Sequence, residues 1–99
     1  MSVAYEWDVE VVTDRETDDH EEGEVIDHNF CASYAAAKAV AATDLGHGLR
    51  HLLVLVRDDE KERSWAYLEE GELPTHFQDS YQNQYAKVPQ RFHKEVAAI

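Results

Sequence analysis

A single cysteine, Cys31, leaves no partner for an internal disulfide, which excludes a disulfide-stapled scaffold and fits a reducing, cytoplasmic setting. Basic residues are also scarce. Nine Lys and Arg stand against 21 Asp and Glu, a net charge of −12. A chain so acidic repels the polyanions DNA, RNA and anionic lipid, so direct binding to any of them is not expected. No apolar run approaches the ~20 residues that a membrane span needs. The opening MSVAYEWDVE lacks the basic-then-apolar pattern of a signal peptide. Glycine and proline number four and two, with no repeat and no separate linker, so residues 1–99 read as a single domain. At 99 residues the core is modest and there is little room for a deep catalytic cleft.

Enough apolar material is present to fold, at 43% hydrophobic and 10% aromatic residues. The charge is placed unevenly. Residues 1–27 carry a net −10, residues 28–72 a net −3 and residues 73–99 a net +1. A concentrated excess creates a local negative field, although acids that serve only solubility give the same totals.

Val3, Tyr5, Trp7, Val9 and Val11 alternate with mostly polar neighbours, the period-two signature of a strand with one buried and one wet face. Residues 13–24, TDRETDDHEEGE, are too polar to pack and predict a solvated hairpin loop. Glu24–Ala32 predicts a second strand burying Ile26, His28 and Phe30 on one face, with His28 bonded to backbone. Ser33 is a suitable N-cap for a helix over Tyr34–Leu45, with Gly46 as its left-handed stop. Leu49–Val56 is apolar on both faces and predicts a central strand. Asp58–Glu62 predicts a charged, solvated turn, and Arg63–Glu69 a fourth strand with Trp65 and Tyr67 on one face. Phe77, Tyr81 and Tyr85 recur at helical spacing, and Pro89 can open a last helix along which Phe92, Val96 and Ile99 form a stripe. The expected fold is α+β: a four-stranded, mainly antiparallel β-β-α-β-β sheet over residues 1–72, one helix on a face, and a helical tail over 73–99.

Catalytic chemistry finds little support. Of the six histidines (His20, His28, His47, His51, His76 and His93), only His47 and His51 have zinc-like spacing, and the flanking Gly46 and Gly48 argue against the helix that spacing needs. Counted from Asp14 as a calcium-loop start, the required glycine falls on Asp19 and the bidentate glutamate on Val25. Cys31 has no neighbouring Lys or Arg to stabilise a thiolate, and Gly46-His47-Gly48 is not followed by the Lys-Ser/Thr of a phosphate loop. No enzyme activity, metal or cofactor is therefore expected.

Binding is better supported. On the wet face of the first strand Glu6, Asp8 and Glu10 would stand ~6.5–7 Å apart, close to the spacing of successive phosphates. The loop prolongs that row with Asp14, Glu16, Asp18, Asp19, Glu21 and Glu22. Together they predict an electrostatic surface for a basic, nucleic-acid-handling protein. Trp65, Tyr67, Tyr81 and Tyr85 form a second candidate surface, suited to a homodimer in which the acids serve only solubility. A metal-dependent enzyme built on the histidines and loop carboxylates is a third, weaker reading.

The strand AYEWDVE, the Gly-Glu-Val-Ile strand, the helix SYAAAKAVAA and the strands LLVLVRD and SWAYLEEG together resemble small phage- or prophage-encoded β-β-α-β-β proteins, anti-CRISPR inhibitors among them. The resemblance covers residues 4–72 and rests on element order and size. It implies an accessory protein that acts by occupying another protein's surface, and it transfers no individual functional residue.

Overall fold

In the computed structural model, which describes residues 2–98, the chain is α+β with six strands and two helices. Strands β1 (Ala4–Thr13) and β2 (Val25–Cys31) precede helix α1 (Tyr34–Ala41). They are followed by β3 (Leu49–Asp58), β4 (Arg63–Tyr67), β5 (His76–Gln78), β6 (Gln84–Lys87) and helix α2 (Gln90–Ala97). One antiparallel sheet runs in the order β2-β1-β3-β4-β5-β6, and only the passage from β2 through α1 to β3 crosses over a strand. The apolar run of β3 sits centrally, paired with β1 on one side and β4 on the other, as a strand apolar on both faces requires.

The sheet has two strands more than the four-strand expectation because residues 73–88 are not helical. Asp79 is the cause: its carboxylate accepts hydrogen bonds from the backbone N–H of Tyr81 and of Asn83, both at 2.9 Å, and Gln82 takes a left-handed φ of 64°. A side chain that bonds nearby backbone in this way favours a tight turn over a helix. Phe77 consequently points into the core, Tyr81 stands at the turn tip and Tyr85 returns on β6.

Both helices contribute to the same core. Tyr34 and Ala37 of α1 and Val96 of α2 pack with Trp7, Val9, Leu55, Ala66 and Phe77, with Tyr5 and Phe92 alongside. Ser33 caps α1 as expected, its hydroxyl accepting from Ala36 N at 3.1 Å. The helix ends at Ala41, short of Leu45, where the Thr43 hydroxyl bonds back to Val40 O at 2.7 Å. Gly46 is not left-handed; Gly48, with φ +85°, makes the turn into β3. Pro89 precedes α2 as its cap and is not its first residue. Ile99 lies outside the described residues. Glu95 of α2 joins the layers: one carboxylate oxygen accepts from Trp7 Nε1 at 3.2 Å and the other from Tyr34 N at 3.1 Å. The first turn of α1 has no acid of its own, so Glu95 satisfies an otherwise orphan N–H at a helix N-terminus.

The β3–β4 turn is solvated at Glu60, Lys61 and Glu62, as its charge suggested, but not at Asp59. Asp59 is 9% exposed, and its carboxylate accepts from Lys61 N, Glu62 N, Arg57 and the Tyr85 hydroxyl, the last at 2.7 Å. Arg57 also lies over the Tyr85 ring at 5.2 Å, so this cluster ties β6 to the far hairpin. The Tyr85 hydroxyl first, then the backbone N–H donors and Arg57, hold the Asp59 carboxyl down at about 2 against its ordinary 3.8. A carboxyl lowered on folding adds stability that is complete above ~4 and is lost as pH falls through about 2. Asp59→Asn should therefore be less stable at pH 7 and lose less stability than wild type between pH 4 and 2. Urea midpoints across that range measure both, and parallel declines would remove Asp59 as the source.

Candidate functional site

Alternation along each strand and the register between strands sort the sheet into two faces. The Trp7 face carries the core and both helices. Among the described residues neither helix contributes to the opposite face, which carries Glu6, Asp8 and Glu10 of β1, Val54 and Val56 of β3, Trp65 and Tyr67 of β4, and His28 and Phe30 of β2. The face of β2 expected to be buried is exposed, with Ile26 at 42% and Phe30 at 41%, because β2 is an edge strand, exposed on both faces from Val25 to Phe30. His28 is likewise exposed, and its Nδ1 lies 3.6 Å from Asp8 Oδ1.

The carboxylates of β1 do not form a row in water. Glu6 is exposed, whereas Asp8 is 5% and Glu10 8% exposed. Asp8 is bonded from β2, next to β1, and Glu10 from β4, two strands away. Asp8 Oδ1 accepts from Asn29 N of β2 at 3.1 Å. The Tyr67 hydroxyl of β4 stands 3.2 Å from each oxygen of Glu10. Burial pushes the Glu10 carboxyl up, with the Tyr67 hydrogen bond opposing and Asp8 adding to the rise. Burial, then the Glu10 charge, pushes Tyr67 up to about 12, so its hydroxyl keeps its proton and donates. An acid held buried at a cost to its charged form is characteristic of binding and active sites.

The loop acids are different. Glu16, Asp18, Asp19, Glu21 and Glu22 are exposed, and Asp14 is half-buried with Arg15 Nε on its carboxylate at 3.1 Å. The loop has a defined shape despite its polarity. Thr13 Oγ1 donates to Glu21 O and accepts from Glu24 N, Thr17 N donates to His20 O at 2.8 Å, and Glu24 bonds His20 Nδ1 at 2.9 Å. Thr13 pairs with Leu49 at the start of β3, and β4 runs antiparallel to β3. The loop and the β4–β5 connection, with Glu69, Glu70 and Glu72, therefore share one end of the sheet.

Against the uncovered face lies a broad open groove of about 1010 Å³. Trp65 and Tyr67 line it with five carboxylates, those of Glu10, Glu69, Glu70, Glu72 and Asp79, and among the described residues no Lys or Arg lines it. Trp65 and Tyr67 thus come together as their shared face predicts. Tyr81, 84% exposed at its turn, and Tyr85, bonded to Asp59, do not line this groove. The groove acids Glu69, Glu70, Glu72 and Asp79 escaped the sequence reading; the only signal was an acidic run directly after an aromatic strand.

Among the described residues no three His, Cys, Asp or Glu side chains are grouped to hold a metal ion, and no helix is long and apolar enough to cross a membrane. Cys31 is half-buried, and burial followed by the Asp8 charge pushes its thiol up, away from the thiolate form. No protein family, curated protein or solved structure matches this chain.

Proposed function

We propose that this protein is a non-enzymatic binding protein that occupies a basic, nucleic-acid-handling surface on another protein, in the manner of a phage-encoded inhibitor. The observation that carries this reading is the β1–β2 loop, which holds seven acids and one base over residues 14–24 in a hydrogen-bonded shape. A pre-shaped array of like charge loses less entropy on docking than a disordered one. Its field also steers a cationic partner and weakens with salt. The carboxylates offered to the partner are Glu6, Glu16, Asp18, Asp19, Glu21 and Glu22, joined by Glu69, Glu70 and Glu72 at the same end. Asp8 and Glu10 act from within the sheet.

Mimicry of nucleic acid is tested by competition. Fluorescently labelled duplex DNA bound to an arginine-rich peptide should be released by this protein at 50 mM NaCl, with at least tenfold weaker competition at 500 mM. Labelled DNA alone should not bind the protein. Failure to displace DNA at large excess would overturn the reading.

The exposed Ile26, Phe30 and Tyr67 favour a second reading, a homodimer formed through the uncovered face with the acids serving solubility. Light scattering at high concentration separates the two, since a persistent monomer excludes the dimer.

A further inference from the structure

We propose that β2 is a self-pairing edge: two copies of this chain join antiparallel along Val25–Cys31, about a two-fold axis at His28, and fuse their six-stranded sheets into one. This goes beyond the basic-partner reading, and it differs from a homodimer packed face to face. Among the described residues β2 pairs with β1 alone and ends the sheet. In an antiparallel ladder the N–H and C=O of one residue point the same way, and successive residues alternate. Asn29 N points at β1, where it donates to Asp8 Oδ1 at 3.1 Å, so Ile26, His28 and Phe30 turn their backbone groups outward. The His28 N–H meanwhile donates to the neighbouring Asp27 carboxylate at 2.8 Å, an exposed side chain standing where another strand would.

The two edges of the sheet differ in protection. β6 has four residues, ends in Lys87 and runs into Pro89, features that blunt pairing. β2 has seven residues and no Pro, Lys, Arg or Gly, and it carries Val25, Ile26 and Phe30 at 48%, 42% and 41% exposure.

The strand is also its own complement. An axis at His28 opposes Ile26 to Phe30, His28 to His28, Asp27 to Asn29 and Val25 to Cys31, so all seven residues pair. Apolar side chains then meet across the seam, and Asp27 meets an amide. An axis at Asp27 would oppose two carboxylates, and one at Asn29 would set Asp27 against Cys31; each shortens the overlap. Charge agrees with the same register. It sends the two acidic loops to opposite ends of the seam, ~20 Å apart at ~3.3 Å per residue, beyond the ~8 Å Debye length. Continued past Cys31, it sets Gly23 and Glu24 of one copy opposite Ser33 and Ala32 of the other. Each acidic loop thereby reaches the N-terminal end of a helix α1 whose first turn holds no acid of its own.

Sedimentation velocity of the full chain should show a monomer–dimer equilibrium between about 10 μM and 1 mM, since a single strand seam lies at the low end of interface area. His28→Pro deletes only an outward N–H, where edge strands tolerate proline, and should weaken association at least tenfold with circular dichroism unchanged. Ile26→Lys, at an exposed position, should do the same by placing a charge against Phe30. His28→Cys in a Cys31→Ser background should form an intermolecular disulfide under mild oxidation, because opposed hydrogen-bonded residues stand ~5.5 Å apart at Cα. Tyr81→Cys in the same background, at an exposed turn, should not.

A chain that stays monomeric at about 1 mM, equal trapping at the two cysteine positions, or a dimer that survives both His28→Pro and Ile26→Lys would overturn the seam. The last result would leave a face-to-face dimer in its place. Displacement of DNA from an arginine-rich peptide is read separately, so the basic-partner reading stands or falls on its own.

Discussion

Phe77→Ala is expected to lower the unfolding free energy by ~3–5 kcal/mol, the range for removing a fully buried aromatic side chain. Phe77 is completely enclosed, stacks on Tyr5 with ring centres 6.0 Å apart, and joins the cluster formed by Trp7, Leu55, Ala66 and Val96. It sits on β5, a strand of only three residues, so little backbone pairing is available to compensate. Small domains have ~5–15 kcal/mol of total stability, and for this size ~1 kcal/mol shifts the midpoint by about 4–8 °C. The variant should therefore melt more than 10 °C below wild type. Tyr81→Ala, four residues on at an exposed turn, should stay within ~0.5 kcal/mol. Urea or thermal denaturation of the pair tests whether residues 73–88 belong to the core. A loss under about 1 kcal/mol at Phe77 would mean that they do not.

Reversal of Glu16, Asp18, Asp19, Glu21 and Glu22 to Lys should weaken binding to an arginine-rich peptide by about sixtyfold or more at low salt. An exposed ion pair contributes roughly 0.2–1 kcal/mol, and reversal replaces attraction with repulsion. Five such changes at ~0.5–1 kcal/mol each give about 2.5–5 kcal/mol, and 1.4 kcal/mol is a tenfold change in affinity. Folding should be retained because all five side chains are exposed and the bonds that shape the loop come from Thr13, Thr17, His20 and Glu24. Circular dichroism checks the fold and calorimetry the affinity. A folded variant that binds as wild type does would reduce the acids to a solubilising surface. Glu6, Asp8 and Glu10 would not serve as an equivalent set, because reversing Asp8 strips the acceptor from Asn29 N inside the sheet.

The reasons for the mismatches between pattern and structure differ from element to element. Phe77, Tyr81 and Tyr85 are spaced by four, which suits one face of a helix but equally suits two short strands joined by an odd-numbered turn, here residues 79–83. Asp79, by bonding Tyr81 N and Asn83 N, decides for the hairpin, and no periodicity argument weighs a single side chain in that way. The edge strand β2 alternates convincingly, yet alternation states only that two faces differ. Whether either is covered depends on neighbours, and on this edge strand every residue from Val25 to Phe30 is exposed, on both faces. The groove brings Glu10 to Tyr67, 57 positions away, a proximity created by the β1–β3–β4 pairing and invisible along the chain.

The sequence by itself determined that the chain is acidic and that the acids gather in its first quarter. It also determined that β1 alternates, that β3 is apolar throughout and that Ser33 opens a helix. These are properties of composition, period and local capping, and each is satisfied within a few residues. Tertiary structure alone decided which carboxylates meet water. Asp8 and Glu10 read identically to Glu6 in the pattern, but groups from β2 and β4 bond the first two, which are buried, while the third is exposed. Burial is a property of neighbours, and the groups that bond Asp8 and Glu10 arrive from 21 and 57 residues further along.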